Sequence, residues 1–344
     1  MTGTASRPAA SEGAGPALRK VPRSEARSEA GAGARSDARP ETCSDARSGD
    51  GREPGPAPGP APGPKSRTTY RSAPRPEPRA RFRDLAAAEW IKLWSLRSTP
   101  WVLLVTAAAV LALNANAAYA DYANWPHYDA EARRFVVEVT ALRDAFSTNA
   151  AMLLVLACGT VGALAVVSEY ATGMVRTVYA AVPARQSVIA AKAAVLAALM
   201  TVFGAVVAAA SLGVTRAILG SRGAGVPVTD PATLRALAAS ALLAPVSALV
   251  GMCLGVVVRH AATTVVATIL LLIVLPSFLD DRRPWTAALK HAAPTSAWER
   301  LVGPDSMARL AEYPMTVAES WIVLATWPAM AVLIAMPVVR RRDL

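Results

Sequence analysis

From residue 81 onward the chain alternates long apolar runs with shorter polar connections. Six runs are long enough to cross a hydrocarbon layer of roughly 30 Å, namely residues 101–120, 149–167, 193–215, 236–258, 261–279 and 321–339. Each is rich in Ala, Val and Leu and holds about 19 to 23 residues, a length that suits a tilted or upright helix. Lipid offers backbone N–H and C=O groups no water, so runs of this length are read as helices and not as barrel strands. The predicted fold is all-α and polytopic, with six transmembrane helices over residues 99–344.

Residues 1–80 carry a different pattern. They are Ala, Gly, Pro, Arg, Ser and Glu with almost no aromatics, including "PGPAPGPAPGP" at 54–64. Such a segment buries too little apolar surface to offset chain entropy, and it is expected to be a disordered cytoplasmic tail. No apolar core follows Met1, so a signal peptide is not expected. "GPAPGPKS" at 59–66 approaches a phosphate-binding loop, but Pro64 replaces the second glycine and prolines offer no N–H to a phosphate.

Between the tail and the first run lies "FRDLAAAEWIKLWSLR" at 82–97. Phe82, Leu85, Leu93 and Leu96 fall on one helical face, with Trp90 and Trp94 at its margin and Lys92 as a neighbouring basic residue. Tryptophans and basic residues beside a span predict an amphipathic helix in the headgroup plane, residues 81–98. Ser98 and Pro100 then suit a cap and an early helical position before the upright helix. Glu89 sits on the apolar face, where a carboxylate calls for a cation: Lys92, one from the 168–192 connection, or one on a partner.

Composition changes the picture only in part. Hydrophobic residues are 53% of the chain despite the polar tail, which excludes an ordinary soluble domain. The mean hydropathy of +0.32 agrees. A net charge of +11 would suggest a nucleic-acid partner in a soluble protein; here it is read span by span, and no nucleic acid is expected. Arg81, Arg83, Lys92, Arg97, Arg176, Arg185, Lys192, Arg259 and Arg340 to Arg342 flank one set of span ends in short, nearly acid-free stretches. Basic residues on the other side stand in longer connections mixed with Asp and Glu, which predicts cytoplasmic N- and C-termini.

Candidate chemistry is sparse. Cys43 lies in the tail, and Cys158 and Cys253 read as small apolar residues. His127, His260 and His291 are scattered, without metal-site spacing, nucleophile elbow or zinc-protease helix. Neither catalytic nor metal residues are assigned. No Asp, Glu, Lys, Arg or His falls inside the six runs, which argues against an ion-coupled carrier. Ser247, Gly251 and Gly255 recur every four residues, a flat helix face for packing within one subunit or between two. Asn114 and Asn116 suit either a pathway or the membrane interface. Residues 280–315, with Trp285 and Trp298, read as an external loop bearing interfacial tryptophans.

The connection at 168–192, "SEYATGMVRTVYAAVPARQSVIAAK", is longer than a bare turn requires. Thr172 suits the cap of a short helix that Pro183 would end, and Ser187 would cap the third span. Met174, Val175, Val178, Tyr179 and Val182 share one face of it. Glu169 and Arg176, seven residues apart, would project from one side of a continuous helix, toward a partner, toward the flat helix, or simply into solvent at the membrane boundary.

These two stretches resemble the membrane subunit of type-2 ABC exporters over residues 82–344. The likeness rests on "AAEWIKLWSLRSTPW" and on Glu169, Gly173, Arg176, Pro183, Arg185 and Lys192 in the second connection. The resemblance implies a flat helix bearing Glu89, Trp90, Lys92 and Trp94, then six spans. It also implies a coupling segment with Glu169, Tyr170, Gly173, Arg176, Tyr179, Pro183 and Arg185 that docks on a separate ATP-binding subunit. ATP and Mg would sit on that partner, with no cofactor in this chain. A homodimer or a heterodimer with another permease, in a bacterial plasma membrane, would form the pathway. The alternatives are a membrane anchor or regulator acting through its basic tail, and an ion-coupled secondary transporter.

Overall fold

A computed structural model describes residue 59 and residues 81–95, 98–174, 185–308 and 310–342 of the chain. The proposed tail, apart from Gly59, lies outside them. No strand occurs among the described residues, and the fold is all-α.

Five helices are long and apolar enough to cross a membrane. After α1 (Phe82–Ser95) come α2 (Ser98–Asn124), α3 (Thr148–Ala171), α4 (Arg185–Gly220) and α5 (Pro231–Val258); Val317–Arg342 is the fifth of them. The run expected at 261–279 is shorter. It forms α6, Ala261–Ser277, in which residues 270–274 widen into a π turn and Pro276 follows. Such a turn skips one step of the ordinary ladder, which is the feature hydropathy cannot register. Two short helices come next, α7 (Pro284–His291) and α8 (Pro294–Val302), and Val317–Arg342 closes the set as α9. Short helical pieces also fill residues 125–145.

The helices overrun the apolar runs at their ends. Asp121 lies in the last turn of α2, and Lys192 and Arg216 lie inside α4. Ser187, expected to cap the third span, is instead within α4, which starts at Arg185. Hydropathy reads the lipid-facing part of a helix, whereas backbone hydrogen bonding continues into the polar margins.

Helix α5 is the centre of the bundle and is buried along most of its length. Pro231 pre-sets its first turn, and Arg259, at φ 60°, ends it by donating its N–H to the Gly255 carbonyl at 3.0 Å. Contact with its neighbours is backbone to backbone. A Cβ on Gly162 of α3 would fall 1.9 Å from the Ala248 oxygen, and one on Gly251 would fall 2.0 Å from the Gly159 oxygen. On α4, a Cβ at Gly204 would meet the Ala241 oxygen at 2.2 Å. In lipid, where apolar side chains gain nothing by leaving solvent, this close approach supplies the dispersion contact that holds helices together.

Ser247, Gly251 and Gly255 therefore lie in the seam between α5 and α3 of one chain. Gly255 faces the Ala163 oxygen, and the Ser247 hydroxyl is satisfied by the Leu243 carbonyl one turn back, at 2.8 Å. Asn114 is buried, unlike the exposed Asn116. Its Nδ2 donates to Ser211 Oγ at 3.0 Å, and its Oδ1 accepts from Ser147 N and Oγ at 3.1 and 2.8 Å. One amide thus ties α2 to α4 and to the entrance of α3.

Trp298, expected at the interface, belongs to the core. Only Trp285 of that pair stays exposed. Trp298 is buried because α8 packs along the first half of α5, where Trp298 Nε1 donates to Ser240 Oγ at 3.0 Å. Thr295 Oγ1 donates to the Leu272 carbonyl at 3.2 Å, so α6 runs back alongside α5 toward the same end. Arg235 Nε donates to the Leu301 carbonyl at 3.0 Å, and Arg235 and Arg300 both clasp Asp305. Some burial opposes the charged carboxyl there, but the Arg300 and Arg235 hydrogen bonds outweigh it and hold Asp305 below its ordinary value.

Replacing Gly162 with Leu should lower stability by at least the ~1–3 kcal/mol typical of overpacking, because the obstruction is backbone that cannot swing aside. Gly213→Leu, on an open helix face with nothing within 4 Å, is the control. Thermal unfolding in detergent compares the two; equal melting temperatures would refute the close-packed seam.

Candidate functional site

Four charges from three helices meet at the end of the bundle where α3 stops and α4 begins. Glu89 and Lys92 come from α1, Glu169 from the last turn of α3, and Lys192 from the second turn of α4. Lys92 Nζ donates to Glu89 Oε1 at 2.6 Å and to Glu169 Oε1 at 3.1 Å. Lys192 Nζ donates to Glu89 Oε2, to Glu169 Oε1 at 2.9 Å and to the Ala165 carbonyl at 3.2 Å. All three ammonium donors of Lys192 are thereby used. Glu89 takes both kinds of cation its sequence position called for, one on its own helix and one from the 168–192 connection.

Glu89 and Lys192 are almost wholly buried, with side chains 4% and 6% exposed. Two such charges persist only because the set is neutral and each ammonium proton of the buried Lys192 has an acceptor. Lys92, more open, has its pKa moved in two directions. Burial disfavours its charge, but hydrogen bonding to Glu89 and the charges of Glu169 and Glu89 outweigh burial and raise it above the ordinary lysine value.

The neighbouring backbone shows why the sequence makes a joint here. The Thr172 hydroxyl donates backward to the Ser168 carbonyl at 2.9 Å, closing α3; most residues of the short helix it was expected to cap lie outside those described. Gly173 then adopts φ +70°, a conformation that side chains with a Cβ rarely take, and donates its N–H to Tyr170 O at 3.2 Å. Consequently Glu169 and Arg176 do not share a continuous helix, contrary to the expectation from their spacing. The glycine separates an anchored carboxylate on one side from the connection on the other. Arg176, Tyr179 and Pro183 lie outside the described residues, as does the side chain of Arg185.

Two further contacts shape this end. The Arg259 guanidinium lies over the Tyr170 ring, 4.8 Å from its centroid, joining the end of α5 to the end of α3. On the outer face of α1, Trp90 and Trp94 pack ring to ring at 5.7 Å and remain about half exposed beside the exposed Ile91. Leu93, one turn from Glu89, is buried where α1 packs on α4. So α1 is held to the bundle by charge on one face and presents an apolar aromatic face on the other.

Lys192 is the member of this set that hydropathy undervalues, because it marks the edge of an apolar run. Its signal was its coincidence with the only carboxylate on the apolar face of α1. Comparison of the chain with protein-family models and with curated proteins finds no match.

Lys192→Met should cost ~3–5 kcal/mol, the usual penalty for leaving a buried charge without its partner. Glu89→Gln combined with Lys192→Met should recover part of that loss. A thermal double-mutant cycle reads the coupling; strictly additive effects would mean the two side chains do not depend on each other.

Proposed function

We propose that this chain is the permease subunit of an ATP-driven exporter of the type-2 ABC kind. The observation that carries the proposal is the neutral four-charge joint, which fastens α1 to both ends of the connection between α3 and α4. A segment that transmits force must be fixed to the helices it moves, and Lys192 and Glu169 fix its two ends to a common anchor. The apolar crossing helices supply a pathway, and the resemblance of the 168–192 stretch supplies the partner: a separate ATP-binding subunit, holding ATP and Mg, that presses on this connection. Two permease chains, identical or related, would enclose the pathway.

In this reading α1 lies flat at the membrane surface, with Trp90, Ile91 and Trp94 toward the acyl chains. Helix α6 is the remaining crossing. Its 17 residues span about 25 Å at 1.5 Å per residue, short of the average hydrocarbon layer and accommodated by local thinning. Its return along α5 supports a full traverse. Six crossings put both termini on one side, and the arginine- and lysine-rich short flanks favour the cytoplasmic side of a bacterial plasma membrane.

Co-expressed with its ATPase in vesicles, an Arg176→Ala variant should insert normally and keep nucleotide hydrolysis while transport falls severalfold. Full-rate transport by that variant would reject the connection as a force-bearing element. The topology has its own check. In a chain with its three native cysteines replaced, Ser95→Cys and Asp343→Cys should both resist an impermeant maleimide in intact cells and react after permeabilisation. Labelling of just one in intact cells would mean an odd number of crossings.

A further inference from the structure

Two acidic side chains meet at the end of the bundle opposite the four-charge joint. Asp144 stands just before α3 and Glu169 lies in its last turn, so the two places are roughly 30 Å or more apart along the helix axis. Asp121 is in the last turn of α2, and Asp144 belongs to the short helix 141–145 that ends the excursion between α2 and α3. That excursion is irregular. A 3₁₀ turn at Trp125–His127 and a short helix at Ala130–Phe135 lead into a π turn over Val136–Thr140, and only then does the chain reach Asp144.

Asp121 Oδ1 accepts from the Tyr128 hydroxyl at 2.9 Å. Asp121 Oδ2 and Asp144 Oδ2 are both buried, and neither has a donor from any other group. Asp144 as a whole is only 8% exposed, so water does not make up the difference. The two carboxyls hydrogen-bond each other, and such a bond exists only where one of them carries a proton, since an ionised carboxylate has none to give. No cation answers them. Arg143, next to Asp144, is exposed and acts on it through charge without a bond. Arg216 donates to the Val226 carbonyl at 2.7 Å, and Arg222 lies over the Tyr122 ring, 4.4 Å from its centroid. Glu138, on the π turn, is exposed. Among the described residues neither aspartate forms an ion pair. The hydrogen bond to Asp121, with burial and the charges of Asp121 and Asp144 behind it, holds the Tyr128 phenol above its ordinary value, so Tyr128 stays a donor while carboxyls titrate.

We infer that Asp121 and Asp144 share one proton, and that this proton is a latch holding the 125–145 excursion against the end of α2. With it in place the pair carries a single negative charge, and one hydrogen bond spans the two elements. Its loss to solvent leaves two anions in contact, away from water and with no cation to offset them, and moving Asp144 outward relieves the repulsion. The backbone on either side allows that movement. The π turn ends directly before residues 141–145, and Phe146, at φ −137° and ψ 62°, breaks the helix directly after them. Acid therefore keeps the excursion closed and alkali releases it. The folded chain holds a proton that the unfolded chain has already given up, so the latch's contribution to stability is present at low pH and is lost as pH rises through the titration of the pair. Neither the shared proton nor the latch rests on the ATP-driven reading; only the side of the membrane it answers to, the external one, does.

The test uses the purified full chain in detergent, without nucleotide or partner. The infrared difference between wild type and Asp144→Asn should contain the carbonyl stretch of a protonated carboxylic acid at about pH 6, where a lone aspartate of pKa ~3.9 is ionised, and the band should vanish as pH rises further. Hydrogen exchange of residues 136–145 reads the latch, compared between the same two chains at each pH so that the intrinsic rate cancels. Asparagine copies the protonated carboxyl, so the two chains should exchange alike in acid, and wild type severalfold faster in alkali. Glu138→Gln should follow wild type throughout. Absence of the band overturns the shared proton, and a band with equal exchange at every pH overturns the latch. Should Asp144→Asn fail to fold, wild type alone decides, through exchange of residues 136–145 against residues 325–335 of α9, where no ionisable group lies. A ratio of the two that stays constant with pH overturns the latch.

Discussion

Two lysines and two glutamates, contributed by helices far apart in the chain, neutralise one another at a single joint. Without that neutrality neither Glu89 nor Lys192 could be buried, because each alone would carry a desolvation cost of several kcal/mol. The joint decides where α1 lies, since α1 has one buried apolar turn around Leu93 and an outer face left exposed among the described residues. It also decides where the connection between α3 and α4 starts and ends. A weak apolar contact has been given direction by charge.

The bundle behind the joint is held by a different force. Helices α3, α4 and α5 meet through glycines whose missing side chains let backbones touch. Such contacts tolerate little sliding, because a small displacement brings a Cβ against a carbonyl oxygen. Charge at one end and close packing through the middle therefore act in series. Under the proposed function, a push on the 168–192 connection would meet a joint that cannot dissolve in lipid and a seam that cannot compress.

Much of this was legible in the residues. The apolar runs gave five long helices in their places, since the demand for internal backbone hydrogen bonding in lipid leaves a run of that length few options. The odd carboxylate at Glu89, among Leu85 and Leu93, announced a buried cation. Other features misled for physical reasons. Spacing alone placed Glu169 and Arg176 on one helix, yet Gly173 takes a left-handed conformation between them. Trp298 looked interfacial because tryptophan usually is, until Ser240 supplied a partner for its N–H inside the core.

Sequence by itself determined the class of fold, the helical nature of each run and the need for charge compensation on α1. All three follow from short-range rules of hydration and hydrogen bonding that each segment obeys alone. Tertiary structure decided which lysine answers which glutamate and where α6 widens into a π turn. Those outcomes depend on distances between residues up to 103 positions apart, set by which glycine faces meet, and no local pattern encodes them.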